Sequence, residues 1–292
     1  MPANTRDIRR RIKSVKNTAQ ITKAMQMVAA SKMRKAQNAA LSGRPYAELL
    51  NKVLGSLAAR ADDHPHVLLQ QREVRKELVI VISTDKGLCG ALNTNLLREV
   101  AKFDSAKTVF IAVGRKGMQY LIRSHRTILA DFELKENFHF MDAKAVSKFA
   151  MERFTSGEVD KVTVVFSDFI NTLTQVPRVR TVLPITSLEV TDILGNSDST
   201  PAKTDDTTEY LFEPSQPEIL SAVLPHYVNF QVFQMVLDSR ASEHSARMVA
   251  MKSATDNAKQ LIKDLTLEYN KVRQAAITTE LLEITTAQMA LG

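Results

Sequence analysis

The sequence contains a single cysteine, no tryptophan and few residues that break regular structure. One cysteine among 292 residues cannot form an internal disulfide framework or a multi-cysteine metal site. Nine glycines and nine prolines leave room for long uninterrupted elements. No run of about 18 consecutive apolar residues is present, so we predict no membrane-spanning helix. The content of 44% hydrophobic and 24% charged residues is typical of a chain that folds around a hydrophobic core.

Positive charge is concentrated at the N-terminus. Residues 1–36, which we call the basic arm, contain ten Lys or Arg and one acid, Asp7, so the arm carries +9. The total charge is +7, which leaves −2 on the other 256 residues. Such an arm favours a polyanionic partner, which could be a nucleic acid, a membrane surface or an acidic protein.

Apolar residues recur along the N-terminal region with the spacing of a coiled coil. Eight of ten positions that alternate in steps of four and three are apolar, which predicts a long helix with one seam for a partner helix. Gly43 and Pro45 interrupt the pattern, and we expect a kink or a short break there. The seam positions are 8, 12, 15, 19, 22, 26, 29, 33, 36 and 40.

The C-terminal 66 residues, from His226 to Leu291, contain neither proline nor glycine. As one helix they would be about 99 Å long. A second seam predicts antiparallel pairing with the N-terminal helix, and a homo-oligomeric coiled coil is the alternative. If Ala40 lies opposite Val228, the N-terminal helix ends near residue 265 of its partner, and roughly the last 25 residues extend beyond it. The second seam comprises positions 251, 254, 258, 261, 265, 268, 272, 275, 279 and 282.

The middle of the chain has the pattern of an α/β domain. Short apolar runs at 77–83, 108–114 and 161–167 alternate with helical patterns, which indicates a parallel sheet covered on both faces. A fourth strand at 178–185 follows a loop and is a candidate for antiparallel pairing. The helical patterns cover 92–103, 117–123 and 143–154.

These patterns predict an α/β fold class, in which the N- and C-terminal helices form a long antiparallel coiled coil with an inserted Rossmann-like α/β domain. The predicted boundaries are 1–61 for the N-terminal shaft helix and 74–212 for the inserted domain, with a mobile loop at 195–209. The C-terminal shaft helix is predicted at 216–292.

The turn at 83–90 follows the first strand and precedes a helix, where doubly wound sheets often bind phosphate. It lacks both G-x-G-x-x-G and G-x-x-x-x-G-K-[ST], so we interpret its two glycines as a tight strand-to-helix turn. Cys89 lies on this turn, but no histidine motif accompanies it as in a thiol enzyme. We therefore expect no catalytic residue, no cofactor and no metal site.

Several long motifs resemble the gamma subunit of F-type ATP synthase. They read RDIRRRI at 6–12, TAQITKAMQMVAASKM at 18–33, EHSARMVAMKSATDNA at 243–258 and YNKVRQAAITTEL at 269–281. The turn STDKGLCG at 83–90 and FINT at 169–172 also fit. The match spans the chain in the expected order, and the motifs at the two ends are the most specific.

The resemblance implies a rotor in the central stalk. In this family the paired terminal helices turn inside a hexamer of alpha and beta subunits, and the α/β domain meets the epsilon subunit and the membrane ring of c subunits. Proton flow drives the rotation, and catalysis takes place in the beta subunits, so the chain itself is not an enzyme. The implied location is the cytoplasmic face of the bacterial plasma membrane, with membrane association only through the complex.

The resemblance also assigns contact residues. Met25 corresponds to the position that faces the acidic hinge loop of the beta subunits. Gln26 departs from the family, where this position is often acidic. The plant-type regulatory dithiol needs two thiols and is excluded. The residues expected to contact the hexamer are Met25, Arg9, Arg10, Arg11, Lys13, Arg273, Gln274, Thr278 and Glu280.

Two other classes of protein remain as alternatives. The basic arm and the α/β pattern would suit a nucleic-acid-binding protein with a Rossmann-like domain. The apolar seam on the same helix and the 6% aromatic content weaken that interpretation, and we expect no nucleic-acid partner. A small-molecule enzyme of the doubly wound class is weakened by the poor phosphate motif.

Overall fold

The computed structural model describes residues 5–58, 66–135, 138–185 and 216–291. The chain forms two compact units, and we describe each by itself. The terminal unit consists of Met1–Ala29 with Met248–Gly292, and the central unit consists of Ala30–Arg247. The predicted mobile loop at 195–209 lies outside the described residues.

The chain has a mixed α/β fold with a C-terminal helix of 76 residues. The helices are α1 (Thr5–Ser42), α2 (Arg44–Ala58), α3 (Leu92–Ala101), α4 (Arg115–Arg123), α5 (Phe140–Thr155) and α6 (Gln216–Leu291), with a 3₁₀ turn at Val67–Leu69. The strands are β1 (Glu77–Ile82), β2 (Thr108–Val113), β3 (Ile128–Phe132), β4 (Lys161–Phe169) and β5 (Gln175–Leu183).

The five strands of the central unit form one sheet in the order β3-β2-β1-β4-β5. Strands β1 to β4 are mutually parallel, and β5 pairs antiparallel with β4. The inner strands β1 and β2 are buried along almost their whole length. Burial on both faces explains why these strands read as continuous apolar runs, and the predicted parallel sheet is confirmed.

Helices cover both faces of the sheet. On one face, α3 and α4 pack through Leu96 and Leu121 against Val79, Val81 and Phe110. On the other, α5 and the first part of α6 pack against alternate residues of the same strands. That second cluster includes Ile80, Ile82, Ile111, Val164, Phe154, Leu224 and Met235.

The two edge strands of the sheet differ in how well the sequence predicted them. The fourth predicted strand is β5, and its pairing is antiparallel. The strand that was not predicted is β3, a five-residue strand at the edge of the sheet. Its side chains are only half-buried or exposed, so it shows neither the continuous apolar run of an inner strand nor a clean alternation.

The predicted helix break lies at Gly43, between the end of α1 and the start of α2. A Cβ atom at this position would collide with the side chain of Gln234, which is fully buried. Glycine therefore permits the close approach of α6. In the central unit Ala40 packs with Phe230 and Leu237, so the assumption that it lies opposite Val228 is wrong.

The terminal unit is an antiparallel pair of helices. All seven predicted seam positions of α1 from Ile8 to Ala29 are buried or half-buried, which confirms that seam. The hydroxyl oxygens of Thr22 and Thr255 lie 2.7 Å apart and fix the register. Equal helical rise then places Ile8 opposite Tyr269 and the start of α1 opposite Val272. The predicted end of pairing near residue 265 is wrong, because it rested on the incorrect Ala40–Val228 assumption.

The predicted seam of α6 is wrong at two of the positions that face α1. Leu261 and Glu268 are exposed, and Thr255, Ile262 and Tyr269 are buried or half-buried instead. The sequence of α6 contains two apolar frames with the same mean spacing. One contains Leu261 and Glu268, the other contains Ile262 and Tyr269, and spacing alone cannot distinguish them. Positions 275, 279 and 282 are exposed, and Thr5, the first described residue of α1, lies opposite Val272. The positions that both seams share are Met251, Ala258, Leu265 and Val272.

The turn between β2 and α4 provides a test of the central unit. Gly114 has φ of +100°, and a Cβ there would collide with the Ser83 carbonyl oxygen. We expect Gly114→Ala to lower the free energy of unfolding by about 2 kcal/mol or more. Gly87→Ala is the matched control, since no atom lies within 4 Å of a Cβ built there. Urea unfolding of the full chain measures both, and equal midpoints for the two variants would contradict the prediction.

Candidate partner-contact surface

The four predicted basic contact residues of α1 point away from its seam. Arg9, Arg10, Arg11 and Lys13 are all exposed, because they lie between seam positions that recur every three or four residues. The guanidinium of Arg10 donates to Asp7 at 3.0 Å, and both side chains of this pair are largely exposed. Such a pair is screened by water and contributes little. The positive charge of these residues is therefore presented to solvent.

Met25 is half-buried, and exposed apolar residues flank it. Ile21 is 60% exposed and Val28 is 54% exposed, and their spacing from Met25 puts all three on one face of α1. Ile21 and Val28 were not predicted as contact residues, because they lie outside the seam. The i, i+4, i+7 spacing of Ile21, Met25 and Val28 is the sequence signal that places all three on one helix face. We call these three residues the Met25 stripe, and exposed apolar residues in a row are typical of a contact surface.

The four predicted contact residues of α6 lie just beyond the paired part of the helix. Arg273, Gln274, Thr278 and Glu280 are all exposed. The Thr278 hydroxyl donates to the Gln274 carbonyl at 3.0 Å, and the Arg273 guanidinium lies 5.9 Å from the centre of the Tyr269 ring. These interactions are local to α6, so the outward faces of all four residues are available to a partner.

The same end of α6, which we call the tip, exposes apolar side chains on several faces. Every described side chain from residue 273 to residue 289 is exposed. A helix that is apolar on several faces is normally surrounded by other protein. The large exposed apolar residues of the tip are Ile277, Leu281, Leu282, Ile284 and Met289.

The structure does not gather the predicted contact residues into one pocket. Lys13 and Met25 are twelve residues apart on α1, a separation of about 18 Å along the helix axis. The tip residues belong to α6 and begin just after Val272, which lies opposite the start of α1. The contact residues therefore form an elongated surface, which suits binding to a partner along the helices rather than catalysis.

The turn after β1 is held by the protein's own groups. The Asp85 carboxylate accepts the N–H of Arg115 at 2.9 Å, at the start of α4, where an anion would otherwise be favoured. The guanidinium of Arg247 donates to the carbonyl oxygens of Lys86 and Gly87 at 3.3 Å. These contacts agree with the interpretation of 83–90 as a structural turn.

Cys89 is buried in this turn. Burial raises the pKa of its thiol, so the thiol stays protonated at neutral pH and is a poor nucleophile. Within the described ranges, no group of three or more His, Cys, Asp or Glu side chains is placed to hold a metal ion. None of the described helices combines the length and hydropathy that a membrane span requires.

Comparison with known proteins places the chain in a family. The family model described as ATP synthase matches residues 4–291. The ATP synthase gamma chain of Methylacidiphilum infernorum (isolate V4) is 51% identical over 295 residues, covering 99% of this chain and 100% of that protein. The chain belongs to the ATP synthase gamma-chain family. The gamma chain of Opitutus terrae is 50% identical over 291 residues, covering 99% of both proteins.

Solved structures of ATP synthases share the fold of this gamma-family chain. A chain from the central stalk and c-ring of the Tetrahymena thermophila mitochondrial ATP synthase matches with a TM-score of 0.61 at 26% identity. That match covers 80% of this chain and 99% of the Tetrahymena chain. A chain of the Euglena gracilis mitochondrial enzyme matches with a TM-score of 0.68 at 20% identity, over 98% of this chain and 94% of that one. The chain is thus a subunit of an ATP synthase complex.

The unpaired tip leads to a testable expectation for the free chain. A single helix of this length is marginal in water, so backbone amides of residues 277–289 should exchange at least about 100-fold faster than those of residues 251–262. The paired stretch of the same helix serves as the internal control. Hydrogen exchange with mass spectrometry measures both, and in the assembled complex the tip should become protected. Strong protection of the tip in the free chain would show that it packs on its own chain.

Proposed function

We propose that this chain is the central-stalk rotor subunit of an F-type ATP synthase. In this role it couples proton-driven rotation of the c-ring to the conformational cycling of the catalytic beta subunits. The observation that carries the proposal is the family match over residues 4–291. The helical pair of the terminal unit and its exposed tip supply the parts that such a role needs.

The proposed partners are the alpha and beta subunits, the epsilon subunit and the c-ring. The terminal unit carries all the proposed contacts with the alpha and beta subunits. The central unit is proposed to contact epsilon and the c-ring. The proposed location is the cytoplasmic face of the bacterial plasma membrane, where the chain is a peripheral component held through the complex.

The exposed contact residues fit a surface that must bind and release repeatedly. Exposed charge is attractive over several ångströms but is screened by salt, so it favours association without a tight fit. Arg9, Arg11 and Lys13 are exposed in this way. The Met25 stripe adds a short-range apolar component, because burying its exposed methyl and methylene groups against a partner is favourable.

We further propose that the chain is not itself catalytic. The turn at 83–90 is the position where a doubly wound sheet would bind a nucleotide phosphate. In this chain the Asp85 carboxylate and the Arg247 guanidinium occupy its hydrogen-bonding groups. A phosphate at the Arg115 N–H would have to displace the Asp85 carboxylate, whose negative charge also repels it.

Charge reversal in the basic arm tests the contact surface. The variant combines Arg9→Glu, Arg10→Glu, Arg11→Glu and Lys13→Glu. In the assembled complex it should reduce the number of protons pumped per ATP hydrolysed, because attraction to an acidic partner becomes repulsion. The four side chains are exposed, so the free energy of unfolding should change by no more than about 0.5 kcal/mol per site.

The matched control for charge reversal preserves charge. It combines Arg9→Lys, Arg10→Lys, Arg11→Lys and Lys13→Arg, and coupling should remain normal. Hydrolysis and pumping are measured together in reconstituted vesicles, and stability by urea unfolding. Unchanged coupling in the glutamate variant would show that the arm is only a solvated helix face.

The non-catalytic assignment has its own test. The purified full chain should hydrolyse no ATP above the buffer background, because residues of the chain already occupy the turn at 83–90. The double variant Asp85→Asn with Arg247→Gln removes the side-chain contacts of that turn. It serves as a control that shows whether those contacts had prevented nucleotide binding. Turnover by the unmodified chain that persists through repeated purification would contradict the assignment.

A further inference from the structure

The terminal unit buries a polar contact inside its largely apolar seam. Thr22 is 9% exposed and Thr255 is 3% exposed, and their hydroxyl oxygens lie 2.7 Å apart across the two helices. Seam residues above and below them, such as Ala19, Met251 and Ala258, are apolar. A buried polar pair within such a seam depends on the exact position of one helix along the other.

The two hydroxyl groups satisfy each other only when they are opposite. The Thr255 hydroxyl lies 2.8 Å from the Met251 carbonyl oxygen, and the Thr22 hydroxyl lies 3.1 Å from that of Ala19. Each hydroxyl has one proton to donate and lone pairs that accept. With the helices in register, one hydroxyl donates to a carbonyl of its own helix and accepts the proton of the other. A shift along the axis removes this cross-helix bond.

The sequence also supports a second register. The second apolar frame of α6 is the one that contains Leu261 and Glu268. It would face the seam of α1 if one helix slid past the other by three residues, which is about 4.5 Å along the axis. Thr22 would then lie opposite Ala258, and Ala19 opposite Leu261. Leu261 is 41% exposed in the structure, so the shift would bury it, but Ile262 and Tyr269 would leave the seam in exchange.

The two registers therefore exchange one set of apolar side chains for another and differ in their polar contacts. The shifted register would bring Glu268 opposite Ile12, which places a carboxylate against the seam at a cost. It would also separate the two threonines. These two polar terms add to the burial of Ile262 and Tyr269 in favouring the observed register.

We propose that Thr22 and Thr255 are positioning residues that set the axial register of α1 against α6. Their hydrogen bond makes the shifted pairing less favourable and leaves the apolar seam to provide the affinity between the helices. The functional consequence rests on the proposed rotor role. The register determines where the Met25 stripe on α1 lies relative to the tip of α6, and a partner must engage both.

The register is measured by disulfide trapping in the full chain with Cys89→Ala as background. Ala19→Cys with Ala258→Cys reports the observed register, and Ala19→Cys with Leu261→Cys reports the shifted one. Each pair is placed in three forms of the chain: with both threonines, with Thr22→Val and Thr255→Val, and with Thr22→Ser and Thr255→Ser. Valine preserves the shape of threonine without its hydroxyl, and serine restores the hydroxyl.

The expected result is a shift in the ratio of the two cross-linked products. With threonine or serine the observed-register product should dominate. With valine the fraction of the shifted product should rise by roughly five- to tenfold, the effect of one net hydrogen bond. The single Thr22→Val chain, which leaves Thr255 bonded to Met251, should change in the same direction if the double variant folds poorly. Valine chains that give only the observed-register product would overturn the proposal.

Coupling in the assembled complex separates this inference from the rotor assignment. Valine at both positions should lower proton pumping per ATP hydrolysed, and serine should restore it. A shifted register with unchanged coupling would uphold the role of the threonines and overturn the link to the proposed function. An unshifted register with altered coupling would overturn the role of the threonines and leave the rotor assignment standing.

Discussion

The antiparallel pairing of α1 with α6 in the terminal unit determines which side chains a partner can reach. Seam residues of the two helices cover each other, and the hydrogen bond between Thr22 and Thr255 fixes which residues are opposite. Everything outside the seam then follows from helical periodicity. The basic residues near the start of α1 face solvent and the Met25 stripe lies on an exposed face. No described residue of α1 lies opposite the part of α6 that follows Val272.

The central unit uses a fold that often binds nucleotides, but its strand ends are occupied by its own side chains. Asp85 takes the backbone donor at the start of α4, and Arg247 takes the carbonyl oxygens of the neighbouring turn. Arg247 also forms a 2.6 Å ion pair with Glu243, one turn earlier on α6. The turn is thus joined to the long helix by a charged network, which favours a structural role for this turn over nucleotide binding.

The contact surface combines two interactions with different ranges. Exposed arginine and lysine side chains act at a distance and weaken with salt, whereas the Met25 stripe and the apolar tip require close contact. Membership of the ATP synthase gamma-chain family gives this combination a context, since a subunit of a rotary complex must hold its partners and still move against them. Neither interaction requires a rigid interlocking surface.

Most of the helices and strands could be predicted from local patterns in the sequence. The buried runs of β1, β2 and β4, the seam of α1 and the break at Gly43 were all predicted, because each is a periodic or single-residue signal. The edge strand β3 was missed because half-burial leaves no clear pattern. The seam of α6 was wrong at Leu261 and Glu268, and the predicted end of its pairing was also wrong. Two overlapping apolar frames satisfy the same spacing. Only tertiary contacts, such as that between Thr22 and Thr255, distinguish them, because a register is a relation between two helices and not a property of either one.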